Sequence, residues 1–186
     1  LDLEIPLGVT VTFSTDNNQV SFSGSDHLVQ QAMMETYKLI AKQSVMESFP
    51  PEWGDQKEQL VMTDIPANQK EFAEIVNRIH ETAPSLQVQR IQCVQNKWLW
   101  KRYSQEKANL TEKNGAKVVN EKMLFHGTRS TNPAMVYQGE DGFDMRFCSS
   151  GMWGIGSYFA ENASYSHRYR SPPTGNTAQF FLASVL

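Results

Sequence analysis

The sequence is short of cysteine, of long apolar runs and of net charge, and each shortage removes a class of function. Two cysteines in 186 residues, Cys93 and Cys148, cannot build a four-thiolate zinc site, and neither a CxxC pair nor an HExxH run is present. Two free thiols in a reducing compartment is the expected state. No apolar run approaches the ~20 residues of a membrane helix, and no signal peptide opens the chain. A net charge of −3 gives no general electrostatic reason to bind nucleic acid or a membrane surface. The phosphate-loop pattern GxxxxGK[ST] is missing, as is the strand–GxGxxG–helix unit of dinucleotide-binding folds. What remains is ordinary, with 40% apolar and 20% charged residues and length enough for one good core. Because the chain opens on Leu1 rather than Met, it is expected to be a piece of a longer protein, and the thiols and apolar pattern make an intracellular one, nuclear or cytoplasmic, the expectation.

The first 45 residues read as strand, strand, helix. Val9, Val11 and Phe13 alternate with polar residues, as do Val20 and Phe22 after the turn-forming "TDNN". A helix capped by Ser25 or Asp26 should follow, with Val29, Ala32, Met33, Tyr37, Leu39 and Ile40 along one face. This is too little for a free-standing domain and is expected to be the tail of a preceding α+β module, residues 1–45. Pro50-Pro51 breaks the pattern, so residues 46–53 are expected to be a linker and 54–186 the main domain.

Within the main domain, "QLVMTDI" predicts a strand, and Phe72, Ile75, Val76 and Ile79 predict a helix over about 68–82. "LQVQRIQCVQN" reads as a strand whose apolar phase slips at Arg90, which suggests a bulge. "KWLWKRYSQEKANL" reads as a helix anchored by Trp98, Leu99 and Tyr103, with Lys101, Arg102 and Lys107 on a solvated face. The polar "TEKNGAKVVNE" reads as a loop.

From Lys122 the character changes. Short apolar strands ("KMLFHG", "GSYFA", "AQFFLASVL") alternate with connections rich in glycine and serine, and Gly151, Gly154 and Gly156 directly precede an aromatic segment. Glycines this close let the backbone turn sharply and approach a ligand. His126 closes the strand "MLFH" before Gly127-Thr128. Taken alone, such a histidine reads as a hydrogen-bonded structural residue, and His27 and His80 read as ordinary helix residues. Tyr158 alternates with Phe159, so one of the pair faces the core. Ser166 and Tyr169, three residues apart, would share one face of a helical turn.

Together, "LFHGT" and the later "GSYFAENASYSHRY" resemble the catalytic domain of the poly(ADP-ribose) polymerase family, and "PPEW", "RIQCVQNKWLWKRY" and "NEKMLFHG" match it as well. The resemblance covers roughly residues 50–186. It implies an α+β fold: the split antiparallel β-sheet of diphtheria-toxin-like ADP-ribosyltransferases with flanking helices, C-terminally truncated and preceded by the hairpin–helix fragment. It implies NAD+ as substrate, with no metal, and protein side chains as acceptors. His126 falls on the histidine that bonds a ribose hydroxyl, and Gly127 on the glycine whose backbone binds the nicotinamide carboxamide. Thr128 falls on the small hydroxyl residue that follows. Tyr158 falls on the tyrosine lining the nicotinamide pocket, Ser166 on the hydroxyl that bonds the carboxamide oxygen, and Tyr169 on the aromatic stacked on the ring. His126 and Tyr158 are thus the implied catalytic pair, and Asn132 an implied contact on the adenosine side.

A third residue, the glutamate of polymer-forming members, lies beyond the "FFLASVL" strand of this fragment. Tyr165 stands where polymer-forming members carry lysine, which resembles the mono-transferring members, whereas "GFDMRF" and "GMWGIGSYFAEN" are closer to the tankyrase loop. The tankyrase zinc cluster and the helical bundle of DNA-damage-activated members are missing, and nucleic acid is not an indicated partner. The implied enzyme is an NAD+ ADP-ribosyltransferase, a glycosyltransferase adding single ADP-ribose units. The alternative is an inactive relative serving as a binding or scaffolding module.

Overall fold

In the computed structural model, residues 8–14, 19–47, 49–115, 119–172 and 177–186 are described. The chain divides into two compact units, Leu1–Ser48 and Phe49–Leu186. The architecture is α+β, and among the described residues all strand pairing is antiparallel.

In the first unit, strand β1 (Thr10–Ser14) pairs with β2 (Gln19–Ser23), setting Val11 opposite Phe22. The "TDNN" turn lies outside the described residues. Helix α1 (Asp26–Glu47) begins with Val29 N–H donating to the Ser25 carbonyl. Its buried line centres on Ala32, 2% exposed, whereas Tyr37 and Ile40 are exposed. The expected apolar face is therefore too wide. At 3.6 residues per turn Tyr37 lies roughly 140° and Ile40 roughly 80° round the helix from Ala32.

The second unit opens with a 3-10 turn, Pro51–Trp53, leading into β3 (Leu60–Asp64). Helix α2 (Lys70–His80) follows, then β4 (Gln92–Asn96), paired with β3 in the register Leu60 to Asn96. The predicted bulged strand is corrected here: Leu86–Ile91 lie outside the ladder. Beyond Asp64 the edge offers one more N–H, Ile65 to the Ile91 carbonyl, and Pro66 then has none to give. Leu86 and Val88 still pack on the core of Ile79, Phe125 and Ala163. Their apolar character is thus explained without strand pairing.

Helix α3 (Lys97–Asn114) runs into the segment expected to be loop, and Gly115, at φ +82°, ends it. Its anchor is Trp100 rather than Trp98. Trp100 lies 5.6 Å from the Trp53 ring and 5.9 Å from Tyr103, while Trp98 is 41% exposed. The basic face is solvated as expected, Arg102 keeping 62% of its side-chain surface exposed, and it is also paired. Arg102 donates to the Glu140 carbonyl at 2.7 Å and pairs with Asp141 at 3.0 Å, and Lys107 pairs with Glu121.

Strand β5 (Lys122–His126) pairs with β8 (Phe181–Val185), placing His126 opposite Phe181. Between them come helix α4 (Pro133–Tyr137), a small hairpin of β6 (Ser150–Gly151) and β7 (Gly154–Ile155), and helix α5 (Ala163–His167). The strand expected at "GSYFA" reduces to a single bridge between Phe125 and Ala160.

Asn96, 2% exposed, joins these parts. Its side-chain oxygen accepts from the N–H groups of Trp98 and Leu99, capping α3, and its amide donates to the carbonyls of Tyr137 and Gly139 at 2.9 and 3.0 Å. Replacing it removes a helix cap and leaves two carbonyls unpaired. Asn96→Ala is expected to lower the unfolding free energy by about 2–4 kcal/mol, read from the denaturant midpoint. A loss under about 0.5 kcal/mol, the surface-substitution range, would refute this role.

Candidate active site

The site is built on the end of β5. Phe125, fully buried, exchanges backbone hydrogen bonds with Ala160 at 2.8 and 2.9 Å, which fixes the strand just before His126. The His126 ring lies 4.8 Å from Phe143 and 5.1 Å from Phe159, and its Nδ1 is 2.8 Å from the Tyr158 carbonyl. A carbonyl can only accept, so Nδ1 carries the hydrogen. Burial pushes the ring below the ordinary histidine value of 6.5, against the opposing pull of that carbonyl. The ring is therefore neutral at pH 7 with its lone pair on Nε2.

Gly127 meets the turn after α5. A Cβ there would stand 2.3 Å from the Tyr169 backbone C and O and 2.5 Å from the Ser166 carbonyl. No side chain fits, so glycine is what allows this contact. The next link is Arg129 N–H donating to the Tyr169 carbonyl at 2.7 Å, with Arg129 held at φ +51°. Thr128 is 8% exposed, and among the described residues its hydroxyl has no hydrogen-bond partner.

Ser166 is 3% exposed and donates its hydroxyl hydrogen to the Phe125 carbonyl at 2.9 Å. In this rotamer it can receive a hydrogen bond from a ligand but not give one. Donation to a carboxamide oxygen requires the hydroxyl to turn. Tyr169 carries the Arg129 guanidinium 4.4 Å from its ring centre and has Tyr165 at 5.3 Å. A hydrogen bond from Tyr165, then Arg129, holds the Tyr169 phenol below its ordinary range.

Tyr158 joins the site by its backbone, through the carbonyl on His126, while its phenol lies at the β6–β7 hairpin. Its hydroxyl accepts from Trp153 N–H at 3.0 Å and donates to the Gly154 carbonyl at 2.7 Å. Asn132 stands apart. Its side-chain oxygen accepts from Ala134 N–H at 3.0 Å and caps α4.

The structure thus brings together His126, Gly127, Thr128, Ser166 and Tyr169, with Tyr158 linked through its carbonyl. It adds Phe143 and Phe159 as the walls of the histidine. Phe159 was signalled by its alternation with Tyr158, but Phe143 sits in a loop without periodicity. A hollow of about 380 Å3 lined by Arg78, Glu81, Lys122 and Glu161 contains none of these residues. Its mixed charges are partly paired, as in Lys122–Glu161 at 2.9 Å. Among the described residues no cluster of three or more His, Cys, Asp or Glu could hold a metal, and no helix is long and apolar enough to cross a membrane.

Residues 69–186 match the family model described as the poly(ADP-ribose) polymerase catalytic domain. A probable poly [ADP-ribose] polymerase of Dictyostelium discoideum is 32% identical over 163 residues, covering 83% of this chain and 48% of that protein. Protein mono-ADP-ribosyltransferase PARP12 of Homo sapiens is 38% identical over 122 residues, covering 64% of this chain and 17% of its own length. Protein mono-ADP-ribosyltransferase PARP11 of Homo sapiens is 29% identical over 169 residues, with 88% and 50% covered. The chain therefore spans half or less of each of these relatives.

The histidine generates a pH prediction. In the unfolded chain it titrates near 6.5, and in the fold below that. As pH falls, the unfolded state takes up the proton first, so the stabilising contribution is complete above 6.5 and is lost below it. Thermal midpoints of wild type and His126→Asn, whose amide can still donate to the Tyr158 carbonyl, should converge or cross between pH 7.5 and 5. A constant difference would place the His126 titration outside that window.

Proposed function

The chain belongs to the poly(ADP-ribose) polymerase catalytic-domain family, and from that membership we propose that it transfers single ADP-ribose units from NAD+ to protein side chains, releasing nicotinamide. The observation that carries the proposal is the Thr128 hydroxyl, buried yet without a partner among the described residues, next in the chain to Gly127. A buried polar group left without a partner costs about 1–3 kcal/mol. A carboxamide, with donors and an acceptor on one planar group, is the kind of ligand that can partner such a hydroxyl and the backbone of Gly127.

His126 supplies the next element. Its hydrogen is committed to the Tyr158 carbonyl, so toward a ligand the neutral ring offers an acceptor, suited to a ribose hydroxyl. Tyr169 presents an aromatic face to the nicotinamide ring, and a cationic pyridinium on an aromatic face is favoured by charge–quadrupole attraction. The Arg129 guanidinium, 4.4 Å from the centre of that ring, is a flat cation held on the same aromatic and supports this reading.

Scission of the glycosidic bond leaves positive charge on the ribose. Holding both carboxamide and ribose orients the leaving group along the breaking bond. Mono-transfer is favoured because PARP12 and PARP11 are named mono-ADP-ribosyltransferases and Tyr165 stands where polymer-forming members carry lysine. The ladders β3–β4 and β5–β8 are read as parts of the split sheet of this fold, and residues 1–45 as the tail of a preceding module. An intracellular setting, nuclear or cytoplasmic, belongs to the same proposal, supported by two free thiols.

Incubation of the full-length protein with labelled NAD+ should put label on protein as a discrete band rather than a ladder. His126→Ala should reduce incorporation about a hundredfold, the order of loss that misplacing a reacting group produces. The acid limb of the wild-type rate should lie below pH 6.5, since protonation turns the acceptor Nε2 into a donor. No incorporation and no NAD+ binding would overturn transfer in favour of a binding module.

A further inference from the structure

The β6–β7 hairpin has little holding it in place. It consists of two two-residue strands, and its tip residues Met152 and Trp153 are 89% and 85% exposed. A lone two-stranded hairpin is marginally stable in water, so its conformation depends on what grips its neck. The Tyr158 phenol is that grip. Its hydroxyl accepts the Trp153 N–H and donates to the Gly154 carbonyl. The ring lies where Gly151 has no side chain, since a Cβ there would be 2.7 Å from the ring. The other end of the same residue holds His126 through its carbonyl. Hairpin and histidine are therefore one tyrosine apart.

We propose that Tyr158 is a positioning residue, whose hydroxyl latches the Ser150–Ile155 hairpin beside the end of β5 and so sets the affinity of the site for NAD+. The proposal rests on the NAD+ reading above. The single hydrogen of the hydroxyl goes to the Gly154 carbonyl and one lone pair takes the Trp153 N–H, so in this conformation it has no hydrogen to give to a substrate. Its effect reaches the substrate through the hairpin backbone. The ring, by contrast, remains available to line the nicotinamide pocket.

Tyr158→Phe keeps the ring and removes the latch. In buffer without NAD+, exchange of the Trp153 amide should be about tenfold faster or more in the variant, as expected for loss of one protecting hydrogen bond. With NAD+, KM should rise about tenfold while kcat stays within about twofold. Gly151→Ala, which displaces the ring while the hydroxyl remains, should move both readouts the same way. Unchanged exchange at Trp153 would overturn the latch, and a kcat loss at unchanged KM would show the hydroxyl acting on the reacting atoms instead. If the wild-type protein transferred nothing, the NAD+ reading would fall, and the exchange comparison alone would still decide whether the latch exists.

Discussion

Where β5 ends, Gly127 brings its backbone so close to the carbonyls of Ser166 and Tyr169 that no side chain could stand between them. The rest of the site follows from this contact. It seats the turn after α5 on the strand end, buries Ser166, encloses Thr128 and turns Arg129 onto the Tyr169 ring. Phe125 makes it possible by holding the strand on both sides, through β8 and through Ala160. Its carbonyl, taken by Ala160 N–H and the Ser166 hydroxyl, joins strand and helix directly. A strand, a turn and a short helix thus become one rigid corner.

The polar groups of this corner divide into committed and uncommitted. The Nδ1 hydrogen of His126, the Ser166 hydrogen and the Tyr158 hydroxyl are spent on backbone groups. The Thr128 hydroxyl is not spent, and the lone pair of His126 is left by the tautomer its neighbour dictates. A protein that only needed to fold would gain by pairing Thr128 internally. Among the described residues the side chains of Gln56, Gln59 and Thr128 each keep a buried polar atom without a partner, and of the three only Thr128 follows His126 and Gly127 at the strand end.

Much of this was legible in the sequence, and the failures have physical causes. Periodicity found α2, whose apolar residues turn inward around Ile79, and alternation and apolar runs found the hairpin and β5 even though Val20 and Met123 are exposed. It misjudged Leu86–Ile91, where apolar residues pack on the core without pairing. It chose Trp98 over Trp100, because which tryptophan meets Trp53 depends on a turn 45 or more residues away. It ended α3 early at polar residues that tolerate helix until Gly115 stops it. The residue types of the site were readable only through the joint occurrence of "LFHGT" and "SYFAENASYSHRY". What no pattern could show is where each hydrogen goes: that Asn132 caps α4, that the Tyr158 hydroxyl holds a hairpin, and that Thr128 is left without a partner.

The account turns on that hydroxyl, and Thr128→Val tests it with two readouts of opposite sign. Valine keeps the shape and removes the unpaired group, so thermal stability should rise, by about 1 kcal/mol, while NAD+ binding measured by calorimetry weakens about tenfold. A variant that loses stability, or that binds NAD+ as tightly as wild type, would contradict the claim that Thr128 is held in reserve for the substrate.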